Sequence, residues 1–197
     1  MTLSVILIFT FDSKIVFYLL LHTLYCQSMI KIGLISDTHS YLDDRIIHHL
    51  RDCDEIWHAG DVGNYDVLER LKSVAPVRAV FGNIDGQEIR QEFPEHLKFT
   101  MEGLKIWITH IGGYPGKYYP KIREEVYRLK PDLFICGHSH ILKVMRDKRT
   151  PNLLHLNPGA AGNVGFHKVR TMLKFDLDSG KIKNLQAVEL GKRSTLS

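Results

Sequence analysis

From Met29 onward, the sequence predicts an α/β domain in which two layers of β-sheet are flanked by helices. Short apolar runs that end in small or acidic residues alternate with amphipathic segments of helical length over the first two thirds of the chain. The last third has apolar runs without helical segments between them, so it is predicted to be all β. Two sheets covered by helices would bury both faces of each sheet.

Three strands and two helices are predicted in the first part of the domain. The strands occupy residues 30–36, 55–59 and 77–81, and they stop at Asp37, Gly60-Asp61 and Gly82-Asn83. The helices occupy residues 43–52 and 65–73, because apolar side chains recur at helical spacing: Ile46, Ile47 and Leu50 in the first, Val67, Leu68 and Leu71 in the second.

The remaining elements follow from alternation and turn residues. Residues 97–101 and 105–109 alternate apolar and polar side chains across a Glu102-Gly103 turn, which is typical of an antiparallel hairpin. A helix is predicted over residues 118–129, and a buried strand over 133–136. The final strands are predicted near residues 143–148, 153–156, 172–177 and 182–189.

Composition indicates one globular domain. Of the 197 residues, 44% are hydrophobic and 24% are charged, which is ordinary for a globular protein. The net charge of +4 is spread along the chain, which argues against specific nucleic-acid recognition and against a polybasic membrane patch. Three scattered cysteines, Cys26, Cys53 and Cys136, are too few for a disulfide framework, which favours a reducing, cytoplasmic compartment.

Residues 1–28 do not resemble the remainder of the chain. Asp12 and Lys14 are their only formal charges, and they lack both the positive start and the small-residue cleavage site of a secretory signal. A membrane helix needs about 20 apolar residues, whereas the uninterrupted run over 15–25 is about half that length. We therefore expect a non-native or disordered extension, followed by a single domain over residues 29–197. A weak membrane anchor is the alternative for the extension.

Polar residues lie just beyond the carboxyl ends of five predicted strands. Because these ends line one crevice in an open α/β sheet, side chains far apart in sequence are expected to converge there. Carboxylates, imidazoles and one amide oxygen, without thiolate, suit a divalent metal such as Mn, Fe, Co, Ni or Zn. Seven ligands are too many for one ion and fit two ions that share one carboxylate. The seven are Asp37, His39, Asp61, Asn83, His110, His138 and His140.

Each of these residues also has a simpler interpretation, and a pair such as Asp37-x-His39 is common by itself. Asp37 could cap the helix that begins near residue 43, and Gly60-Asp61 and Gly82-Asn83 could be plain turns. His110 could be a hydrogen-bonded loop histidine, and Gly137-His138-Ser139-His140 could be a solvated turn. Taken together, these simpler interpretations would require five strands to stop at metal-capable residues by coincidence.

The motifs also resemble those of a known family. The ordered series Asp37-x-His39, Gly60-Asp61, Gly82-Asn83-x-Asp85, Thr109-His110, Gly137-His138-x-His140 and Asn157-Pro158-Gly159 resembles the calcineurin-like metallophosphoesterase superfamily. The small size and the Gly-Asn-x-Asp variant are similar to its single-domain phosphodiesterase branch, which also resembles a subunit of the eukaryotic retromer. The resemblance implies an αββα sandwich of two mixed sheets.

The resemblance also implies the ligand sets and the reaction. Asp37, His39, Asp61 and His140 would hold one ion, and Asp61, Asn83, His110 and His138 the other. Manganese is the expected metal, with Ni, Fe, Co, Zn or Mg as alternatives. Two ions that share a water lower its pKa toward neutrality, which gives a hydroxide that attacks the phosphoester.

Three site residues receive catalytic roles in this hypothesis. Asp61 bridges the ions, Asn83 donates its amide N–H to a phosphoryl oxygen, and His39 or solvent supplies the proton for the leaving group. Some superfamily members have a protonating histidine directly after the Gly-Asn pair, and here that position is Ile84. Asp85 is expected to orient a ligand histidine.

Other polar residues are expected to be structural. His48 and His49 are predicted to lie on a helix surface, whereas His58 and His155 are predicted to be satisfied core histidines. Cys53 and Cys136 are predicted to be packing residues.

Two functions from different classes remain. The first is a phosphoesterase that acts on small phosphodiesters, with phosphomonoesters as a further substrate class and a homo-oligomer as an open assembly state. The second is a non-catalytic interaction scaffold on the same fold. A scaffold tends to lose metal ligands, and all seven are present here, which favours the enzyme.

Overall fold

The computed structural model describes residues 29–193, so the expectation for residues 1–28 lies outside the described residues. The strands, in chain order, are β1 Ile30–Ile35, β2 Glu55–His58, β3 Val77–Ala79, β4 His96–Met101, β5 Leu104–Thr109, β6 Gly113–Tyr114, β7 Lys117–Tyr118, β8 Leu133–Ile135, β9 Leu142–Arg146, β10 Leu154–Pro158, β11 Val169–Asp178 and β12 Lys181–Lys192. The helices are α1 Asp44–Leu50, α2 Tyr65–Lys72, α3 Gln87–Glu92 and α4 Pro120–Leu129.

Ten of these strands form two mixed five-stranded sheets. The first has the order β12-β11-β1-β2-β3, and β1, β2 and β3 run parallel within it. The second has the order β4-β5-β8-β10-β9, with β5, β8 and β10 parallel. In both sheets the remaining strands pair antiparallel, so the predicted hairpin of residues 97–101 and 105–109 is confirmed as β4 and β5.

The two sheets pack against each other and are covered by helices on the outside. Leu34 and Trp57 of the first sheet and Ile108 and Ile135 of the second are fully buried in the layer between the sheets. The neighbouring Ile35 points to the other face of β1 and packs with α1 and α2. On the far side, α4 covers the outer face of the second sheet. The αββα sandwich predicted from the sequence is therefore confirmed.

Sequence periodicity missed the short elements. Helix α3 has six residues and a single buried apolar side chain, Ile89, so it presents no helical stripe to detect. Strands β6 and β7 have two residues each and form a small hairpin around Pro115 and Gly116. Tyr118 belongs to strand β7 of this hairpin, so the helix predicted to start at residue 118 begins later. It begins at Pro120, because proline is well suited to the first position of a helix.

The start of α1 excludes one interpretation of Asp37. The Asp43 side chain accepts a hydrogen bond from the Ile46 amide at 3.0 Å and caps α1. The alternative role of Asp37 as the cap of this helix is therefore wrong. None of the helices in residues 29–193 is long and apolar enough to cross a membrane.

Candidate metal centre

The predicted ligands lie in loops where β1, β2, β3, β5 and β8 end, and these loops meet at one edge of the sandwich. Five of the seven adopt positive φ angles, which L-residues rarely do outside sites where the surrounding structure enforces them. Hydrogen bonds between loops enforce them here: the Asp37 amide donates to the Gly60 carbonyl and the His39 amide to the Asp61 carbonyl, both at 3.0 Å. The five are Asp37, His39, Asp61, His138 and His140.

A first group of ligand atoms comes from Asp37, His39 and His140. The Nε2 atom of His140 lies 3.2 Å from Asp37 Oδ1 and 3.3 Å from Nε2 of His39. The three ligand atoms lie within 4.8 Å of one another, a spacing that one ion could bridge. Asp37 is fully buried, and the two histidines are partly exposed, so the group opens to solvent on the histidine side.

A second group comes from Asp61, His110 and His138, with Asn83 beside it. The Nε2 atom of His110 lies 3.2 Å from Asp61 Oδ1 and 3.1 Å from Asn83 Oδ1. The ring of His138 packs edge-on against that of His110, with centroids 5.2 Å apart. Asp61 and His110 are buried, whereas His138 and Asn83 are exposed and line the mouth.

Asp61 lies between the two groups. Its Oδ1 faces His110 Nε2 at 3.2 Å, and its Oδ2 faces His39 Nε2 at 3.7 Å. The two oxygens of one carboxylate are therefore directed at different groups, which is the arrangement expected of a carboxylate that bridges two ions.

The electrostatics of the site keep Asp61 ionised and favour positive charge at His110. Burial would raise the pKa of Asp61, but the His110 hydrogen bond and charge hold that pKa below its ordinary value. Burial would lower the pKa of His110, but Asp61 and Asp37 together raise it. A cation between His110 and the carboxylates is therefore favourable, whether it is a proton or a metal ion.

A backbone carbonyl group fixes the orientation of the His110 ring. Its Nδ1 lies 2.8 Å from the carbonyl oxygen of Ala59, which can only accept a hydrogen bond. Nδ1 therefore carries a proton, and Nε2 is the atom directed toward the oxygens of Asp61 and Asn83, so a proton or a metal ion is favoured between them. Metal-binding histidines are commonly fixed in this way by a backbone carbonyl. Nitrogen and oxygen donors without thiolate complete a set that fits borderline divalent ions.

The role expected for Asp85 is wrong. Its carboxylate accepts hydrogen bonds from the amides of Gly63 at 2.8 Å and Gly82 at 2.7 Å, and it contacts no ligand histidine in this way. Asp85 instead ties the loop after β2 to the loop after β3. The sequence could not show this, because the amide partners of a carboxylate have no sequence signature.

Sequence analysis missed Arg90, which holds the loop that carries Asn83. The guanidinium group donates to the carbonyls of Asp85 at 2.6 Å and Gly82 at 2.8 Å. Arg90 lies on α3, the helix that periodicity did not reveal. Asn157 has a similar role on the other side, where its amide nitrogen donates to the Gly137 carbonyl at 2.8 Å and supports the loop of His138 and His140.

Predictions for the remaining histidines and cysteines met different outcomes. His58 is fully buried and contacts Thr38 Oγ1 at 2.9 Å, which confirms a satisfied core histidine. His155 is equally buried, but neither ring nitrogen has a hydrogen-bond partner within residues 29–193, so its description as satisfied is wrong. Cys53 and Cys136 are buried and free, as predicted.

The sequence matches a known protein family and named relatives. The family model for the calcineurin-like phosphoesterase superfamily domain matches residues 30–180. A relative from Methanothermobacter thermautotrophicus, named "Probable metallophosphoesterase", is 32% identical over 136 residues, which cover 66% of this chain and 76% of the relative.

Solved structures share the fold at lower identity. A structure described as a novel archaeal phosphodiesterase is 22% identical, with a TM-score of 0.65, and the match covers 81% of this chain and 99% of that one. Vps29 from Entamoeba histolytica in complex with zinc is 18% identical, with a TM-score of 0.59 and coverage of 82% and 100%. With the family match spanning most of the described residues, the chain belongs to the calcineurin-like phosphoesterase superfamily.

Proposed function

We propose that this protein is a metal-dependent phosphodiesterase that hydrolyses small phosphodiesters, and more slowly phosphomonoesters, at a dinuclear centre. The observation that carries the proposal is the placement of Asp61, whose two carboxylate oxygens face two separate groups of ligand atoms. Family membership supports hydrolysis of phosphoesters. The likeness to an archaeal phosphodiesterase supports a diester as the preferred substrate.

Seven side chains would hold the two ions. One ion would be bound by Asp37, His39, Asp61 and His140, and the other by Asp61, Asn83, His110 and His138. Manganese is the preferred metal in this proposal, with Ni, Fe, Co, Zn or Mg as alternatives, because the donors are nitrogen and oxygen atoms. When bound, the two ions supply Lewis acidity and lower the pKa of a water that attacks phosphorus.

Asn83 has a second role in the proposal. Its Oδ1 faces His110, so its amide nitrogen is free to donate a hydrogen bond toward the exposed side of the centre. A donor fixed there would stabilise a phosphoryl oxygen as its negative charge grows. Arg90 keeps this donor in position, because it binds the carbonyls on both sides of the loop.

The residue after Asn83 cannot protonate the leaving group. Ile84 follows Asn83 and is 45% exposed, and it has no group that transfers a proton. His39 is the candidate donor in this proposal, because its ring lies at the centre and is partly exposed. Substrates whose leaving oxygen is a weak base would need no such donor.

The alternative is a non-catalytic scaffold that binds other proteins. The likeness to Vps29 and the exposure of two apolar side chains favour it: Ile141 beside His140 is 60% exposed, and Phe166 beside His167 is fully exposed. The complete ligand set favours the enzyme. A cytoplasmic location is part of the proposal and is supported by the free, buried Cys53 and Cys136.

A substrate panel tests the proposal. Protein stripped with EDTA should hydrolyse bis-p-nitrophenyl phosphate after addition of manganese, more slowly hydrolyse p-nitrophenyl phosphate, and hydrolyse neither without metal. The panel is repeated with magnesium, nickel and zinc. Tight binding of metal without turnover of any ester would instead support the scaffold.

A further inference from the structure

A small cavity of about 150 Å³ lies beside the candidate metal centre, and nothing above assigns it a role. Its lining includes His138, the exposed member of the second ligand group, and the buried His155. His155 pairs in register with Phe134, and Phe134 packs under α4, so the cavity lies on the outer face of the second sheet.

The walls of the cavity are mostly apolar. Gly112 and Gly113 supply backbone without side chains, and Ile141 supplies an apolar side chain. Tyr114 and Lys143 also line the cavity, and the ammonium group of Lys143 lies 3.5 Å from the centroid of the Tyr114 ring. One wall of this slot, His138, belongs to the candidate metal centre.

His155 is the unusual residue of this slot. Its side chain is fully buried, yet neither ring nitrogen has a hydrogen-bond partner anywhere in the described chain. Buried polar groups are almost always paired, because an unpaired one retains its desolvation cost without compensation. A buried histidine left unpaired in the lining of a cavity indicates a ligand atom that pairs with it.

The protonation state of His155 defines what that atom must be. Burial, assisted by the charge of Lys143, lowers the pKa of His155 to about 4. The ring is therefore neutral near pH 7, with one nitrogen that donates and one that accepts. A hydroxyl group, which can also donate or accept, matches such a ring.

We propose that this cavity binds one uncharged aromatic ring of the substrate's ester group, whose polar substituent pairs with His155. This inference rests on the proposed phosphodiesterase function for the position of the phosphate. An apolar cavity of about 150 Å³ holds a benzene molecule, so a single ring fits and a fused two-ring system does not. His155 would thus select the ester group without touching the reacting atoms.

Competitive inhibition by phosphonates, which have no ester bond to break, tests the selectivity. With manganese-loaded protein, benzylphosphonate should inhibit more strongly than methylphosphonate, and 1-naphthylmethylphosphonate less strongly than benzylphosphonate. 4-Hydroxybenzylphosphonate should inhibit about five-fold more strongly than benzylphosphonate, the effect of about one hydrogen bond. In His155→Phe this five-fold advantage should vanish while methylphosphonate inhibition stays unchanged.

A second variant keeps the inference testable if His155→Phe does not fold. Tyr114→Ala removes a partly exposed residue of the cavity lining and should weaken inhibition by both benzyl compounds. Tyr119→Ala, which lines a separate pocket with His110 and Asn83, should not. Equal inhibition by benzylphosphonate and methylphosphonate, as for a cavity that holds only water, would overturn the inference. An undiminished hydroxyl advantage in His155→Phe would overturn it as well.

Phenol binding separates this inference from the proposed function. In EDTA-treated protein, phenol should shift the ring ¹⁵N resonances of His155, because the cavity itself needs no metal. Phenol binding together with no inhibition by any phosphonate would overturn the phosphodiesterase function and keep the ring site. Inhibition by methylphosphonate without any phenol shift would keep the function and overturn the ring site.

Discussion

The Nε2 atoms of His39 and His140 lie 3.3 Å apart and face each other. At this distance either one ring donates an N–H···N hydrogen bond to the other, or a metal ion lies between the two nitrogens. Carboxylates surround the pair, since Asp37 lies 3.2 Å from His140 and Asp61 lies 3.7 Å from His39. The two carboxylates favour a cation at this position, and we expect a divalent ion there.

Metal binding should accordingly stabilise the folded protein. A ligand at a concentration of 100 times its dissociation constant adds about 2.7 kcal/mol, which corresponds to roughly 5–10 °C in Tm for a domain of this size. Calorimetry with manganese and with EDTA measures the shift. His140→Ala should reduce the shift, whereas His48→Ala, an exposed histidine on α1, should leave it intact. Identical Tm values with manganese and with EDTA would exclude a preformed metal site.

Gly165 is expected to control the position of His140. A Cβ atom at Gly165 would clash with the His140 ring, whereas a Cβ atom at Gly116 would meet nothing within 4 Å. Both glycines have positive φ angles, +122° and +86°, so alanine is strained at both positions and only one variant disturbs the site. Gly165→Ala should weaken metal binding about 10-fold or more, and Gly116→Ala should not. Titration with manganese decides, and equal affinities in the two variants would refute the role of Gly165.

Because Ile84 cannot donate a proton, we predict that the hydrolysis rate depends strongly on the pKa of the leaving group. Assistance from a general acid is worth about 10²–10⁴ in rate, and Ile84 supplies none. A plot of log(kcat/KM) against the pKa of the leaving group, for a series of aryl diesters, should fall steeply. Ile84→His should flatten the slope, because its backbone N–H bonds Asp61 at 3.1 Å and fixes the residue beside the centre. A flat plot for the unmodified protein, with chemistry rate-limiting, would show that another residue, first of all His39, gives the proton.

His155 predicts a loss of stability in acid. Its pKa is about 4 in the folded protein against an ordinary 6.5, so below pH 6.5 the unfolded chain takes up a proton that the folded state resists. The contribution of the neutral ring is complete above pH 6.5 and decreases as the pH falls toward 4, by about 3 kcal/mol in total. Urea unfolding in EDTA should show a smaller decrease for His155→Phe. Parallel pH profiles for the two proteins would contradict the assignment.

The fold could be predicted because each long strand and helix has its own periodicity. Residues 65–73 contain Val67, Leu68 and Leu71, and the structure buries all three. Strand ends could be predicted too, since Asp37 and Asp61 interrupt apolar runs. The loops that follow these strands carry the seven predicted ligands and place them close together.

What the sequence could not show depends on contacts between distant residues. Arg90 acts through backbone carbonyls, and carbonyls are the same in every residue. Asp85 lies next to ligands in sequence but binds the amides of two glycines. His155 was expected to be paired because most buried histidines are, and only the structure reveals that both of its nitrogens lack partners in the described chain.

The bridging role of Asp61 is the central claim, and metal content measures it most directly. Asp61→Asn preserves the size of the side chain but removes the charge that both ligand groups share. Wild-type protein and the control Asp66→Asn, an exposed carboxylate on α2, should bind close to two manganese ions per chain and hydrolyse bis-p-nitrophenyl phosphate at similar rates. Asp61→Asn should bind one ion or fewer, and its activity should fall by about 10²-fold or more. A rate loss of this order is typical when one preorganised polar group is removed from an active site. Two ions per chain with near-normal turnover in Asp61→Asn would contradict the account.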